Sequence, residues 1–140
     1  MRKAIVSGAN GFVGSAVVKE LISQGYEVYA LVRENHYDQV PINEMVRIVP
    51  FSLENIEALG EVIPINEYEA FYHFAWNGSA GVDRADTALQ LKNAQWTVEC
   101  LQMAKRLGCK RFVPAGSIME HETIAAVYTQ GNRPGAGYIY

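Results

Sequence analysis

Ser7-Gly8-Ala9-Asn10-Gly11-Phe12-Val13-Gly14 places three glycines at intervals of three between a short apolar run, Ala4-Ile5-Val6, and a stretch with helical periodicity. Val13, Val17 and Leu21, with Val18 and Ile22, recur at helical spacing until Gly25 stops them, so the stretch predicts a strand, a tight turn and a helix. Each glycine has an expected task. Gly8 permits the turn, Gly11 lets the backbone approach a ligand with no Cβ in the way, and Gly14 lets the helix pack close to the strand. The first helical turn presents unpaired N–H groups at the positive end of the helix dipole, which suits a diphosphate. Strand and helix on either side give the glycine spacing the context that a phosphate cradle requires.

Working outward, strand and helix alternate along the chain. Glu27 to Val32 read as a second strand, Met45 to Phe51 as a third after a loop from Glu34 to Asn43, Glu69 to Phe74 as a fourth, and Arg111 to Pro114 as the start of a fifth. A long helix is expected from about Arg84 to Leu107, with Leu91, Ala94, Val98, Leu101 and Ala104 on one face and Gly108 ending it. Such alternation predicts an α/β fold: a Rossmann-like, doubly wound parallel sheet with right-handed crossovers and ligand at the carboxyl ends of its strands, here cut short after about five strands. No repeat, low-complexity tract or linker interrupts it, so residues 1–140 are read as one dinucleotide-binding domain, incomplete at its C-terminal end.

The 140 residues are enough to bury about two-thirds of the unfolded surface. With 49% apolar residues and a net charge of −3, the composition argues against disorder and against electrostatic binding to nucleic acid. No apolar run approaches the roughly 18 residues of a membrane span, and Met1-Arg2-Lys3 leads into the first strand instead of a secretory signal, so the expectation is a cytoplasmic protein. Cys100 and Cys109 have no metal-ligand spacing and read as buried or half-buried free thiols; no metal site is expected.

In this order the motifs resemble those of the short-chain dehydrogenases/reductases, most closely the extended branch of nucleotide-sugar epimerases, dehydratases and related reductases, and the resemblance covers the whole chain. The glycine turn is similar to that family's Thr-Gly-x-x-Gly-x-x-Gly, with Ser7 at the threonine. Tyr72-His73-Phe74-Ala75 resembles its fourth-strand motif, Asn93 the asparagine of the following helix, and Arg111-Phe112-Val113-Pro114-Ala115-Gly116-Ser117 its fifth strand, which ends in a catalytic serine or threonine. The resemblance implies cofactor contacts at Gly8, Asn10, Gly11, Phe12, Val13, Gly14, Arg33, Ser52, Leu53, Phe74, Ala75, Trp76 and Asn93. It implies hydride chemistry in which Ser117 hydrogen-bonds the substrate oxygen and Tyr140, at about the family's separation from it, serves as acid/base beside a nicotinamide.

A family tyrosine is helped by a lysine four residues later, which lowers its pKa. That position lies beyond these residues, and neither Tyr128 nor Tyr138 supplies the pattern. An amino-terminal portion, inactive as it stands, is therefore expected, its small-molecule substrate belonging to the full-length protein. Each site residue also has a plainer reading: Ser117 as a strand end or helix cap, Tyr140 as a frayed terminus, Asn93 as a polar residue on a helix face. His73 reads as a packed strand-end residue, and the cluster Phe71, Tyr72, Phe74 and Trp76 as mostly core, with Trp76 at the edge of a cofactor channel.

Cofactor choice turns on Leu31-Val32-Arg33-Glu34. Arg33 aligns with the usual ribose-binding acid, and its guanidinium suits a 2′-phosphate, which favours NADP. Glu34 lies about 20 residues beyond Gly14, the spacing of a ribose-binding carboxylate, and is the case for NAD. Three departures from the family pattern stand out: Ser52 where aspartate is common, Gly116 where serine is frequent, and Trp76 where a small residue is usual. They leave a second class open, a non-catalytic nucleotide-binding or redox-sensing module on the same fold. Family members commonly dimerise through the long helix, so an uncovered apolar stripe on it predicts a homo-oligomer.

Overall fold

A computed structural model describes residues 1–118 and 120. Their elements run in the order β1 (Arg2–Ser7), α1 (Phe12–Ser23), β2 (Tyr26–Val32), β3 (Val46–Pro50), a 3-10 helix (Leu53–Ala58), α2 (Leu59–Val62), β4 (Ala70–His73), a second 3-10 helix (Gly81–Ala85), α3 (Thr87–Leu107) and β5 (Phe112–Pro114). All five expected strands form. The first 3-10 helix and α2 were missed, because pieces of six and four residues are each too short to show helical periodicity.

The sheet has the order β3-β2-β1-β4-β5, and every pairing is parallel. From β1 the chain adds strands in one direction, then crosses back from β3 to place β4 on the other side of β1. The reversal lies between β1 and β4, where a parallel open sheet leaves a crevice at its carboxyl ends.

Residues Met1–Ala75 and Trp96–Pro114 form one compact unit; Trp76–Gln95 and the described part of Ala115–Tyr140 form a second. Within the first unit, strand alternation sends side chains to two cores. Ile5, Tyr29, Leu31 and Phe71 meet Leu53, Ile56, Leu59 and Ile63 with Cys100, Met103, Ala104 and Leu107 on one face. Ala4, Val6, Val28, Ala30 and Val32 meet Val18 and Leu21 of α1 on the other. Burial on both faces explains why Ala4-Ile5-Val6 and Val28 to Val32 are continuously apolar instead of alternating.

Helix α3 differs from its expected pattern. Its stripe of apolar residues exposes Leu91 (61%), Val98 (53%) and Leu101 (47%), while Gln90, Asn93, Cys100, Met103, Ala104 and Leu107 are buried. The buried face starts one position earlier than the apolar stripe, because two carboxamides are held there by hydrogen bonds to backbone.

Candidate functional site

The turn between β1 and α1 is built around two glycines whose side chains have no room. Gly8 has φ +66°, and a Cβ there would lie 2.8 Å from Ala75 N and Phe74 C. A Cβ on Gly14 would run into the carbonyl oxygen of Gly8. Gly14 thus lets the start of α1 close onto the residue that follows β1, while Val18 and Leu21 farther along the helix pack on the strand itself. Within the turn, Gly11 N–H donates to Gly8 O at 2.9 Å, and Ala9 N–H donates to Leu31 O at 3.3 Å, tying the turn to β2.

Gly11 occupies the N-cap of α1 and no side chain caps it; the first turn carries no acidic residue. The N–H groups of Phe12, Val13 and Gly14 have no intrahelical partner by helix geometry. Their end of the helix is open, with Phe12 (93% exposed) and Val13 (53%) turned outward. A short anion with several acceptor oxygens meets both requirements, since it accepts hydrogen bonds and answers the dipole. The residues present fit a coenzyme diphosphate.

Ser7 ends β1 and is paired in register with His73 at the end of β4. Its hydroxyl oxygen lies 2.9 Å from His73 Nδ1 and accepts the N–H groups of Phe74 at 3.2 Å and Ala75 at 3.3 Å. Thr97 Oγ1 lies 3.4 Å from His73 Nε2. Burial pushes the His73 imidazole down to about 4, so it is neutral near pH 7. The sequence reading of His73 as a packed strand-end residue agrees with this placement, but the link to Ser7 was missed. The link depends on β1 and β4 being neighbours in the sheet, an order that the sequence reading did not give.

Arg33 and Glu34 follow β2 directly, both exposed. A turn with Asn35 at φ +62° returns His36 N–H to Arg33 O at 3.1 Å, keeping both side chains at the strand's carboxyl end. Ser52 caps the first 3-10 helix, its hydroxyl accepting Glu54 N–H at 3.2 Å. The Leu53 side chain is buried in the core, so only its backbone is left for a ligand. Burial also pushes the thiols of Cys100 and Cys109 up to about 12, making them inert near neutrality. Among the described residues no three His, Cys, Asp or Glu side chains gather as a metal site.

In the second unit, two buried carboxamides hold the loop before α3. Trp76 Nε1–H donates to Gln90 Oε1 at 2.9 Å, and Gln90 Nε2 donates to the carbonyls of Gly78 at 3.1 Å and Asp83 at 2.9 Å. Asn93 accepts Asn77 N–H at 2.9 Å and donates to Asn77 O at 2.7 Å. Asn93 thus pairs with both main-chain groups of one residue, Asn77, and Gln90, one turn earlier, escaped the sequence reading because an isolated glutamine carries no motif. Ser117 N–H donates to Glu120 Oε1 at 3.0 Å, and Glu120 N–H returns to Ser117 O at 3.1 Å, closing a turn in which Glu120 was not foreseen. Tyr140, the second catalytic candidate, lies outside the described residues.

Comparison with known proteins agrees with this geometry. The chain is 29% identical over 119 residues to dTDP-6-deoxy-L-talose 4-dehydrogenase (NAD(+)) of Aggregatibacter actinomycetemcomitans, covering 83% of this chain and 42% of that protein. It is similar in structure to an epimerase of Methanothermobacter thermautotrophicus, with TM-score 0.72 and 24% identity over 84% of this chain and 35% of the other. UDP-glucose 4-epimerase of Thermotoga maritima gives TM-score 0.68 and 23% identity over 82% and 38%. The chain therefore spans less than half the length of these relatives. The description NAD dependent epimerase/dehydratase matches residues 4–134, and with the glycine turn, the parallel sheet and the open helix end already in place, the chain belongs to that family.

Proposed function

We propose that this chain is the coenzyme-binding portion of an oxidoreductase of the epimerase, dehydratase or reductase type, acting in its full length on a sugar nucleotide or another carbonyl or hydroxyl compound. The relative named above is an NAD(+) dehydrogenase of a dTDP-sugar, which supports the substrate class. The observation that carries the reading is the uncapped start of α1, with Gly8 and Gly14 cleared of side chains beneath it. Residues 1–140 act in this reading as one dinucleotide-binding domain.

A nicotinamide coenzyme supplies a hydride acceptor and donor when bound. The turn from Asn10 to Gly14 holds its diphosphate through the N–H groups of Phe12, Val13 and Gly14, and the carboxyl end of β2 faces its adenosine ribose. Arg33 gives a planar, permanently charged partner for a 2′-phosphate, so NADP is preferred over NAD; Glu34 is the residue through which NAD would bind. Ser52, Leu53, Phe74, Ala75, Trp76 and Asn93 complete the coenzyme side. Ser117 orients the substrate oxygen and Tyr140 moves its proton. The exposed stripe of Leu91, Val98 and Leu101 supports self-association; a single monomeric boundary in sedimentation at high concentration excludes it.

Calorimetric titration with NADPH and NADH tests the reading directly. Wild type binds both, NADPH more tightly, and Arg33→Ala weakens NADPH by about tenfold while leaving NADH within about twofold. Equal loss for both coenzymes would remove Arg33 from the 2′-phosphate, and failure of either to bind at millimolar concentration would remove the coenzyme reading.

A further inference from the structure

We propose that Gln90 is a positioning residue for the nicotinamide end of the coenzyme: it anchors the indole of Trp76, and the loop that Trp76 begins, so that the ring stacks on the flat nicotinamide. The proposal rests on the coenzyme reading above and deepens it by giving a task to a buried glutamine that no motif marks.

Strand order says which half of the coenzyme Trp76 meets. The diphosphate turn follows β1 and the adenosine side lies at the end of β2, so a dinucleotide laid across the turn carries its other half toward β4, the neighbour of β1 on the opposite side. Phe74 and Ala75 leave the end of β4 against Gly8, and Trp76 is the next residue. Its indole N–H is given to Gln90 Oε1 at 2.9 Å. The single polar atom of the side chain is thereby used, so the indole meets a ligand through ring surface, and an aromatic ring takes another flat ring in an offset stack.

The valence of the Gln90 carboxamide carries the inference. A primary amide offers two protons and two lone pairs, and Gln90 places all four. Nε2 donates to Gly78 O at 3.1 Å and Asp83 O at 2.9 Å; Oε1 accepts Trp76 Nε1–H and Asn93 Nδ2–H at 3.3 Å. Residues 76–80 belong to no helix or strand, so one buried side chain on α3 fixes the loop at its first, third and eighth residues. Only glycine fits at 78, where φ is +68° and a Cβ would lie 2.6 Å from Leu89 Cδ2 and 2.9 Å from Asp83 Cβ. Glutamate at 90 would have the same shape but no N–H, and would turn a charged oxygen toward two carbonyls.

The test is calorimetric titration of the full chain with NADH and with ADP-ribose, which lacks the nicotinamide, for wild type, Gln90→Leu, Gln90→Glu, Trp76→Phe and the double variant of Trp76→Phe with Gln90→Leu. Gln90→Leu and Gln90→Glu are each expected to bind NADH about fivefold more weakly and ADP-ribose within about twofold of wild type. The emission of Trp76, read as the difference from the matching protein with Trp76→Phe, shifts to longer wavelength in Gln90→Leu as the indole leaves its anchor. Trp76→Phe reproduces the loss of NADH affinity, and Gln90→Leu added to it costs less than about a further twofold, because the two substitutions break one link. If Gln90→Leu does not fold, Gln90→Glu, which keeps the side-chain volume, and Trp76→Phe carry the same comparison. Unchanged NADH affinity in a folded Gln90 variant, an unmoved Trp76 emission in Gln90→Leu, or an equal loss for ADP-ribose overturns the proposal while leaving the coenzyme reading intact. A wild type that binds no NADH overturns both.

Discussion

Two helices of this protein begin in opposite ways. Asp86, just before α3, accepts Leu89 N–H on its carboxylate at 3.0 Å, and its carbonyl accepts Gln90 N–H at 2.9 Å, so that helix end is closed by its own chain. α1 begins at Gly11, which has no side chain to offer. A capped end gains about 1 kcal/mol of stability; an uncapped one forgoes it and keeps its N–H groups for something else. The contrast separates a helix end that serves the fold from one kept ready for an anion.

The most severe way to break the contrast is to fill the space under the open end. Gly14→Ala drives a methyl group into the Gly8 carbonyl, and is expected to cost at least about 3 kcal/mol of stability together with coenzyme binding. Thermal unfolding and titration of the same sample check both. A melting temperature within a degree or two of wild type would show that the turn yields.

Acid lowers the stability of the fold through His73, which pairs with Ser7 at the foot of the turn. Burial places His73 near 4 in the folded protein against the ordinary 6.5, so the unfolded chain takes up the proton first. The associated stability is complete above about pH 6.5 and declines as pH falls toward 4, by about 1.4 kcal/mol per pH unit and about 3 kcal/mol in all. Urea unfolding at stepped pH measures that slope for wild type, and His73→Phe is expected to flatten it. An equal slope in the variant assigns the acid sensitivity elsewhere.

Exchanging the two kinds of helix start gives the smallest and most specific effects. Gly11→Asp supplies α1 with a carboxylate that competes with a diphosphate, so NADH affinity falls by about 10- to 100-fold while stability stays within about 1 kcal/mol of wild type. Asp86→Ala does the reverse at α3, costing about 1 kcal/mol and leaving NADH affinity within about twofold. Matching effects of the two substitutions on affinity would erase the distinction between the ends.

The legibility of each region follows from whether its signal is local. The turn was legible because the positive φ of Gly8 and the closeness of Gly14 to the Gly8 carbonyl are set within a few residues, and the strands because burial on both faces leaves runs such as Val28 to Val32 wholly apolar. α3 was legible as a helix but not in its orientation. Leu91, Val98 and Leu101 mark a stripe in the sequence, yet the buried side carries Gln90 and Asn93. Periodicity counts apolar residues and cannot see that a carboxamide has found backbone partners elsewhere.

By itself, the sequence determined that a strand, a glycine turn and a helix follow one another, that further strands and helices alternate after them, and that a diphosphate suits the turn. Each of these depends on neighbours along the chain. Only the tertiary structure decided that Ser7 meets His73, that Gly8 packs against Phe74 and Ala75, and that Leu91, Val98 and Leu101 of α3 face outward. Those are contacts between residues distant in sequence, fixed by strand order and by which buried polar groups can be satisfied at once.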